Sequence, residues 1–514
     1  MPKVFNTTAV CIPKEHYMVN LDERLKKIKV FVDAGKYFTI NRARQYGKTT
    51  TLRALYLYLQ GEYYVVSMDF QTFGSAEFQT ETIFSRSFAN SFLRSLKRNP
   101  VNKTGQLNEA MAQLEKSVAS QNDFFALKAL FEQLGDICAV SDKPIVLMID
   151  EVDSALNNQV FLDFLAQLRA QYMERDIYPT FRSVILAGVY DVKNLRGKIR
   201  PEDEHRYNSP WNIAADFDIS MSFSKNEMAG LLFDDTSGYP FLVSRLCQLM
   251  DEVVCKKETY GSKSAAWTKE GFYEAQRLIL AEKNMLFESL SEKLVSYPEL
   301  NDMLKSLLFT GKPIVFNYYE PSIGVASMFG FVKNKNGMLV VANRIFETWL
   351  YNFYLSAADM QKKEIYAASL MDKNQFIVNG CLNMRLILEK FVVHFHDLYG
   401  DQNETFLEEE GRKYFLLYLR PIINGTGNYY IEAQTRGQKR TDVIVDYRGH
   451  QYVIEMKIWR GQEYNNRGEK QLAGYLDDYH VNKGYMVSFN FNRKKKTGIR
   501  EIVFNDKVII EAVV

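Results

Sequence analysis

The sequence predicts two α/β units in one chain, and three observations carry that prediction. An apolar stretch at 37–40 runs through a polar turn at 41–48 into a helix with Leu52, Leu55 and Leu59 in helical spacing. The run Ile145-Val146-Leu147-Met148-Ile149 is solidly apolar, as a strand buried on both faces is, and it ends in Asp150-Glu151. A second succession of helices and strands begins after residue 374. Strand and helix in alternation mean a mainly parallel sheet with helices on both faces.

In chain order, the first unit is expected to continue with a strand at 63–70, a helical stretch over 77–135, the strand at 144–149, a helix at 159–174 and a strand at 183–189. From about 224 helices dominate, at 225–234, 239–255 and 269–295. Residues 296–355 mix short helices with strands at 313–318 and 338–342, an order that suits a small winged-helix-like connector. The charged stretch 359–364 reads as a boundary. Helices at 374–400 and 404–420 then lead into strands at 429–434, 442–447 and 452–458, a helix at 468–479, and strands at 484–491 and 507–513.

A chain of 514 residues is too long for one core, so several domains are expected. The aromatic share of 14% argues for large buried surfaces rather than loose tails. Lys and Arg number 64 against 62 Asp and Glu, a net charge of +2 that excludes a histone-like electrostatic binder; any nucleic-acid contact must come from a local groove. The five cysteines form no C-x-x-C pair, so neither a disulfide framework nor a zinc ribbon is indicated. The N-terminus lacks an apolar signal-peptide core, and no apolar run approaches the roughly 18 residues that cross a bilayer. The expected setting is the cytoplasm, without membrane contact.

Gln45-Tyr46-Gly47-Lys48-Thr49-Thr50 lies between a strand and a helix, where free N–H groups and the dipole end of the helix favour an anion. Gly47 lets the backbone approach a phosphate, Lys48 can reach outer phosphates, and the Thr49 hydroxyl can ligate magnesium; Arg44 and Thr50 flank them. A full phosphate-loop motif would have Gly at position 42, where this chain has Arg42. G-K-T is short enough to occur by chance as a basic turn. The strand ending in Asp150-Glu151 answers that objection, since it delivers one carboxylate to magnesium and one to an attacking water at the carboxyl end of the sheet. Asp153 is expected to cap the next helix. Gly188 and Asp191 end the next strand, where a polar group could sense a γ-phosphate. Arg200 and Arg206 lie in a polar loop, either able to serve as an arginine finger or simply solvated.

These residues resemble P-loop ATPases of the AAA+/STAND type. More narrowly, the loop Asn41-Arg42-Ala43-Arg44-Gln45-Tyr46-Gly47-Lys48-Thr49 resembles that of the bacterial AAA-ATPase-like family, in which Arg at the first loop position is usual. Ser209-Pro210-Trp211-Asn212-Ile213, Gly238-Tyr239-Pro240-Phe241-Leu242 and Ala342-Asn343-Arg344-Ile345-Phe346-Glu347 are also similar to it. The resemblance implies an ATP- and Mg²⁺-binding module at 1–285 with a helical lid, and a winged-helix-like connector at 286–360. Gly238 and Pro240 would open a lid helix near the nucleotide, or form an ordinary turn. Arg245 is a candidate sensor.

The stretch from Thr441 to Ile458 reads as a β-hairpin. Glu455 and Lys457 stand two apart and so share a face; Ile454 and Met456 share the other. Asp442 opens the first strand and can lie beside Glu455. Paired carboxylates hold a hard divalent cation, and a neighbouring ammonium can orient water or stabilise an oxyanion. A surface ion pair is the plain alternative, but charge on one face of a short apolar strand is costly unless it serves a site.

This hairpin resembles the PD-(D/E)XK nuclease superfamily, whose catalytic set is Asp, Glu and Lys, and 375–514 would then be a restriction-endonuclease-like α/β domain. The resemblance implies a metal-facing glutamate on the preceding helix, for which Glu410 is favoured among Glu408-Glu409-Glu410, although any of the three also suits a helix start. Lys470-Gln471-Leu472-x-x-Tyr475 is similar to an extra Gln motif, and Gln471 reads equally as an exposed helix residue. Mg²⁺, or Mn²⁺, would serve that site. Arg493-Lys494-Lys495-Lys496 with Arg500 is a candidate phosphate contact, though charge runs are usually solvated.

Together the resemblances imply an ATPase whose nucleotide state gates a nuclease acting on nucleic acid, DNA first, in mobile-element or phage defence; a homo-oligomer is compatible with this. The alternatives are a non-cutting regulatory NTPase that keeps the second fold as a binding platform, and an active nuclease whose phosphate loop is a nucleotide-holding structural element.

Overall fold

The computed structural model describes residues 3–100, 103–120, 125–189, 211, 213–222, 230–309, 314–357, 363–372, 375–399, 408–423, 427–434, 440–447, 450–458, 462–478, 481–490, 496–504 and 506–514. The chain divides into two compact units. One holds Met1–Met228, Gly238–Phe241 and Met328–Gly330; the other holds Ala229–Ser237, Leu242–Ser327 and Phe331–Val514.

The first unit is built on four parallel strands, β1 (Phe38–Asn41), β2 (Tyr64–Asp69), β3 (Ile145–Asp150) and β4 (Ser183–Gly188), in the order β1-β4-β3-β2. All six residues of β3 and of β4 are buried, which is why both read as unbroken apolar runs. On the outer side of β1, Ala215 bridges Phe38 in parallel and its N–H donates to the Tyr37 carbonyl at 2.8 Å. Helices α1 (Asp22–Asp33) and α2 (Lys48–Leu59) cover one face through Leu25, Ile28, Val32, Leu52, Leu55 and Leu59. Helices α3 (Glu81–Lys97), α4 (Gly105–Ala119), α5 (Leu127–Val140) and α6 (Gln159–Met173) build the core on the other. There the aromatic surplus is spent on a ring-to-ring cluster that includes Phe70, Phe84, Phe88, Phe161 and Phe164, joined by Trp211.

The helical stretch expected over 77–135 is three helices, and the reason is the sheet edge. β2 has no strand outside it, and Asn99, just past the end of α3, takes a strand's place: its Oδ1 accepts from Val65 N at 3.1 Å and its Nδ2 donates to Val65 O at 3.0 Å. Ser95 Oγ accepts from Ser67 N at 2.8 Å. Side chains thereby close an edge that would otherwise offer itself to another strand. Thr104 then caps α4 through Leu107 N.

The second unit opens with α7 (Gly230–Thr236) and continues through α8 (Pro240–Glu252), α9 (Lys263–Ala266), α10 (Lys269–Ala281), α11 (Met285–Ser296), α12 (Pro298–Phe309) and α13 (Pro321–Met328). Strands β5 (Val332–Lys335) and β6 (Met338–Val341) form a small antiparallel sheet followed by α14 (Arg344–Leu355). The strand expected at 313–318 is reduced to a single bridge, Val315 to Met338. Next come α15 (Glu364–Asp372), the two-residue strands β7 (Ile377–Val378) and β8 (Cys381–Leu382), α16 (Met384–Tyr399) and α17 (Glu408–Ile423).

The unit ends in a six-stranded sheet. It comprises β9 (Gly427–Gln434), β10 (Arg440–Tyr447), β11 (His450–Ile458), β12 (Lys483–Phe489), β13 (Gly498–Phe504) and β14 (Lys507–Val513), in the order β13-β14-β12-β11-β10-β9. β9, β10 and β11 form an antiparallel meander; helix α18 (Gln462–Asp478) then carries the chain over to β12, parallel to β11. β13 has no counterpart in the sequence reading, because its polar and apolar residues do not alternate cleanly.

A buried polar group in this unit has a measurable consequence. Asp235 of α7 is 2% exposed, and burial pushes its carboxyl up to about 7 against the opposing pull of Arg344, with Asp234 and Asp446 adding to the rise. Tyr273 of α10 hydrogen-bonds Asp446 and is also raised by burial. The folded protein therefore keeps a proton that the unfolded chain, with an ordinary value of 3.8, has already released. Stability should fall as pH rises between those two values and level off above the upper one. Asp235→Asn, which mimics the protonated form, should flatten that slope and raise Tm at about pH 8 by at least about 2 °C. Thermal melts across the range check this, and an unchanged slope would refute it.

Candidate functional site

The first site is set by the end of β1. Gln45 and Gly47 both hold the left-handed conformation, at φ 58° and 75°, so successive backbone N–H groups converge before α2 begins at Lys48. At Gly47 that conformation is free of cost, and a side chain would strain it. Arg42, which replaces the glycine of the general motif, has a local reason. Its guanidinium donates to the carbonyls of Asn41 at 2.7 Å and Ile219 at 2.9 Å and lies over the Phe217 ring, tying the loop to a distant segment.

Lys48 is buried, and its ammonium donates to the carbonyls of Arg42 at 3.0 Å and Ala43 at 3.2 Å. Burial lowers its pKa, while Glu151, Asp153 and Asp150 pull it back up. The Thr49 hydroxyl bonds the Asp150 carboxylate, whose pKa is nonetheless raised by burial. Glu151 follows at φ 52°, and burial raises its carboxyl too, against the pull of Lys48. Lys48, Thr49, Asp150 and Glu151 thus come together at the carboxyl ends of β1 and β3. Arg44 is exposed, and the Thr50 hydroxyl accepts from Cys11 N at 3.2 Å.

Asp153 does not cap the next helix. Its Oδ2 accepts from Val189 N at 2.7 Å, clamping the end of β4 between the two site strands. That clamp needs Gly188, where a Cβ would fall 2.7 Å from Asp153 Oδ1 and 3.0 Å from Val152 Cγ2. Gly188→Ala is expected to push the Glu151 turn aside, costing about 1–3 kcal/mol of stability. Thermal melting checks it; an unchanged Tm would count against the clamp. The Gly238-Tyr239-Pro240 turn sits on the loop: Tyr239 Oη donates to Arg44 O at 2.6 Å, and its ring meets Tyr46 edge-on. Arg245 is taken up by Glu282, through Nε at 3.0 Å and Nη2 at 2.6 Å. Asp191, Arg200, Arg206 and residues 209, 210 and 212 lie outside the described residues.

Residues 13–232 match the family model of the AAA-like domain. Among solved structures, the Walker-type ATPase of Pyrococcus abyssi is 13% identical with a TM-score of 0.40, over 68% of this chain and 99% of that one. The Aeropyrum pernix ORC1 protein, solved in complex with DNA, is 10% identical with a TM-score of 0.30, over 65% and 93%. The ORC2 protein of the same organism is 14% identical with a TM-score of 0.29, over 66% and 98%. No curated protein matches the chain. The AAA-like domain, with its parallel sheet and phosphate-type loop, thus accounts for the first site.

The second candidate lies on β11. Glu455 and Lys457 are 3% and 8% exposed, with Nζ 3.5 Å from Oε1, so this is a buried pair and not the surface ion pair of the plain alternative. β10 pairs with β11 in the register Val443↔Ile454, one residue along from Asp442 and Glu455. The side chains of Asp442 and Glu410 lie outside the described residues, as do residues 491–495. Gln471 is exposed on α18 and bonds the Tyr475 hydroxyl. Among the described residues no group of three or more His, Cys, Asp or Glu is arranged to hold a metal ion.

Two members of this face were not anticipated. Ser488 is the β12 partner of Lys457, and its hydroxyl donates to Glu511 Oε1 of β14 at 2.6 Å. Glu511 is wholly buried and pairs with Arg500 of β13, which fixes that arginine within the sheet. Glu455, Lys457, Glu511 and Arg500 balance in sign across the face, as buried charges must. The one carboxylate in the apolar run Val508-Ile509-Ile510-Glu511-Ala512-Val513 was the available signal.

Proposed function

We propose that the chain binds and hydrolyses ATP at the AAA-like domain, and that its nucleotide state gates a divalent-metal-dependent nuclease site on the C-terminal sheet acting on DNA. The observation that carries the first half is the meeting of Lys48, Thr49 and Asp150 at the ends of two parallel strands. A buried ammonium resting on two carbonyls, beside a hydroxyl–carboxylate pair, suits a triphosphate with Mg²⁺. Lys48 would contact phosphate, Thr49 and Asp150 would hold the ion, and Gly47 would let the backbone close on the anion. Bound there, Mg²⁺ neutralises phosphate charge. Glu151, whose carboxyl burial raises, would take the proton of an attacking water.

The second half rests on Glu455 and Lys457, buried side by side on a central strand, in a helix–three strands–helix–strand succession from α17 to β12. The residues that would hold a hard divalent cation, Mg²⁺ or Mn²⁺, are Glu455 of β11, Asp442 of the neighbouring strand and, as a third candidate, Glu410. Such an ion, when bound, supplies Lewis acidity at a phosphodiester. Lys457, 3.5 Å from Glu455, would orient water or meet developing negative charge. Functionally, we read the chain as an ATPase module at 1–285, a winged-helix-like connector at 286–360 and a nuclease module at 375–514.

Two assays on the full chain test this. ATP hydrolysis should be abolished by Lys48→Ala, and plasmid cleavage with Mg²⁺ or Mn²⁺ should occur in the wild type but not in Lys457→Ala. ATP turnover without cleavage in the wild type would replace the nuclease half with a non-cutting regulatory NTPase.

A further inference from the structure

Helix α18 packs on the β11 face that carries Glu455 and Lys457, through Leu472, Tyr475 and Leu476 against Val453 and Met486. One turn before Leu472, at a buried position, the helix has Gly468. Glycine in a helix interior is unfavourable by about 1 kcal/mol relative to alanine, so a local reason is called for. The surroundings provide one. A Cβ at Gly468 would lie 2.5 Å from Lys457 Nζ, 2.7 Å from its Cε and 2.9 Å from its Cδ. No side chain fits there unless the lysine moves along its length.

We infer that Gly468 is the positioning residue for Lys457: the missing side chain is the slot that seats the ammonium beside Glu455. The inference rests on the nuclease reading of this face and adds to it a residue that touches neither metal nor substrate. Lysine has a flexible stem, so burial alone does not fix where its ammonium sits. The α18 backbone at Gly468 lies over the far end of that stem. Burial there also removes the side-chain freedom that a mobile catalytic lysine would lose at each turnover.

The slot predicts an effect whose sign depends on Lys457. In the wild-type chain, Gly468→Ala should lower Tm by about 2–4 °C, because the methyl group and the lysine compete for one space. In the Lys457→Ala background the space is vacant and alanine favours the helix, so the same substitution should raise Tm. For plasmid cleavage with Mg²⁺, Gly468→Ala should reduce kcat by at least about 10-fold with KM unchanged, as expected when an interaction of the transition state is displaced. Added to Lys457→Ala, it should cause no further loss.

Equal Tm changes in the two backgrounds would overturn the inference, and so would a kcat that Gly468→Ala leaves untouched. Should Gly468→Ala alone fail to fold, recovery of folded protein in the double variant supports the slot, and failure of both overturns it. The reversal in Tm is read whether or not the wild type cuts. Loss of the nuclease reading and loss of the slot therefore give different results.

Discussion

Lys457→Ala is expected to reduce metal-dependent cleavage by at least about 100-fold, the usual consequence of deleting one preorganised electrostatic group. ATP turnover should persist, because the AAA-like domain's own residues at the loop and at the end of β3 are untouched. The lysine is poorly replaced by solvent. It is 8% exposed, its ammonium lies 3.5 Å from Glu455 Oε1, and helix α18 closes over it at Gly468. Deleting it removes a positive charge 3.5 Å from Glu455, itself 3% exposed, at a stability cost on the order of 3 kcal/mol. The two effects separate in measurement. A purely structural lysine would lower Tm and spare the rate per folded molecule; a catalytic one loses the rate at temperatures where the fold is intact. Plasmid relaxation at about 25 °C, with circular dichroism of the same samples, distinguishes them.

The parts of both sites that could be read from the sequence are those in which function lies within one element. Lys48 and Thr49 follow a strand and start a helix. Glu455 and Lys457 are two apart on a strand, so period-two alternation places them on one face wherever the strand lies. What was hidden depends on partners far along the chain. Arg42 looked like a departure from the motif, and its partners Phe217 and Ile219 lie well over a hundred residues away. Asn99 looked like an ordinary polar residue in a helical stretch, and only the sheet order shows that it completes an edge. Gly468 is invisible by its nature, since a residue that acts by having no side chain leaves nothing to recognise. Asp153 shows the converse: the sequence suggests a helix cap, but in the fold its carboxylate accepts from Val189 N, a donor 36 residues away.

Glu151→Gln should lower ATP turnover by about 10²–10⁴-fold, the range for losing a general base, while ATP binding stays near the wild-type level. The separation follows from geometry. The proposed anion cradle is the loop of Gln45 and Gly47 with Lys48 and the Thr49–Asp150 pair, and Glu151 belongs to none of these. Its own carboxyl is raised by burial and held back by Lys48, so glutamine keeps the volume and one hydrogen-bond acceptor but cannot take a proton. Charge shifts in the same direction: with one fewer carboxylate opposing it, Lys48 offers more net positive charge to a triphosphate. Lys48→Ala provides the contrast, since it should lose binding itself. These two variants also decide whether the sites communicate. If nucleotide state gates cleavage, Glu151→Gln saturated with ATP and Lys48→Ala without it occupy opposite ends of the cycle, and their plasmid-cleavage rates should differ from each other and bracket the wild type. Identical rates in all three would end the gating proposal and leave a nuclease whose phosphate loop holds nucleotide without controlling cleavage.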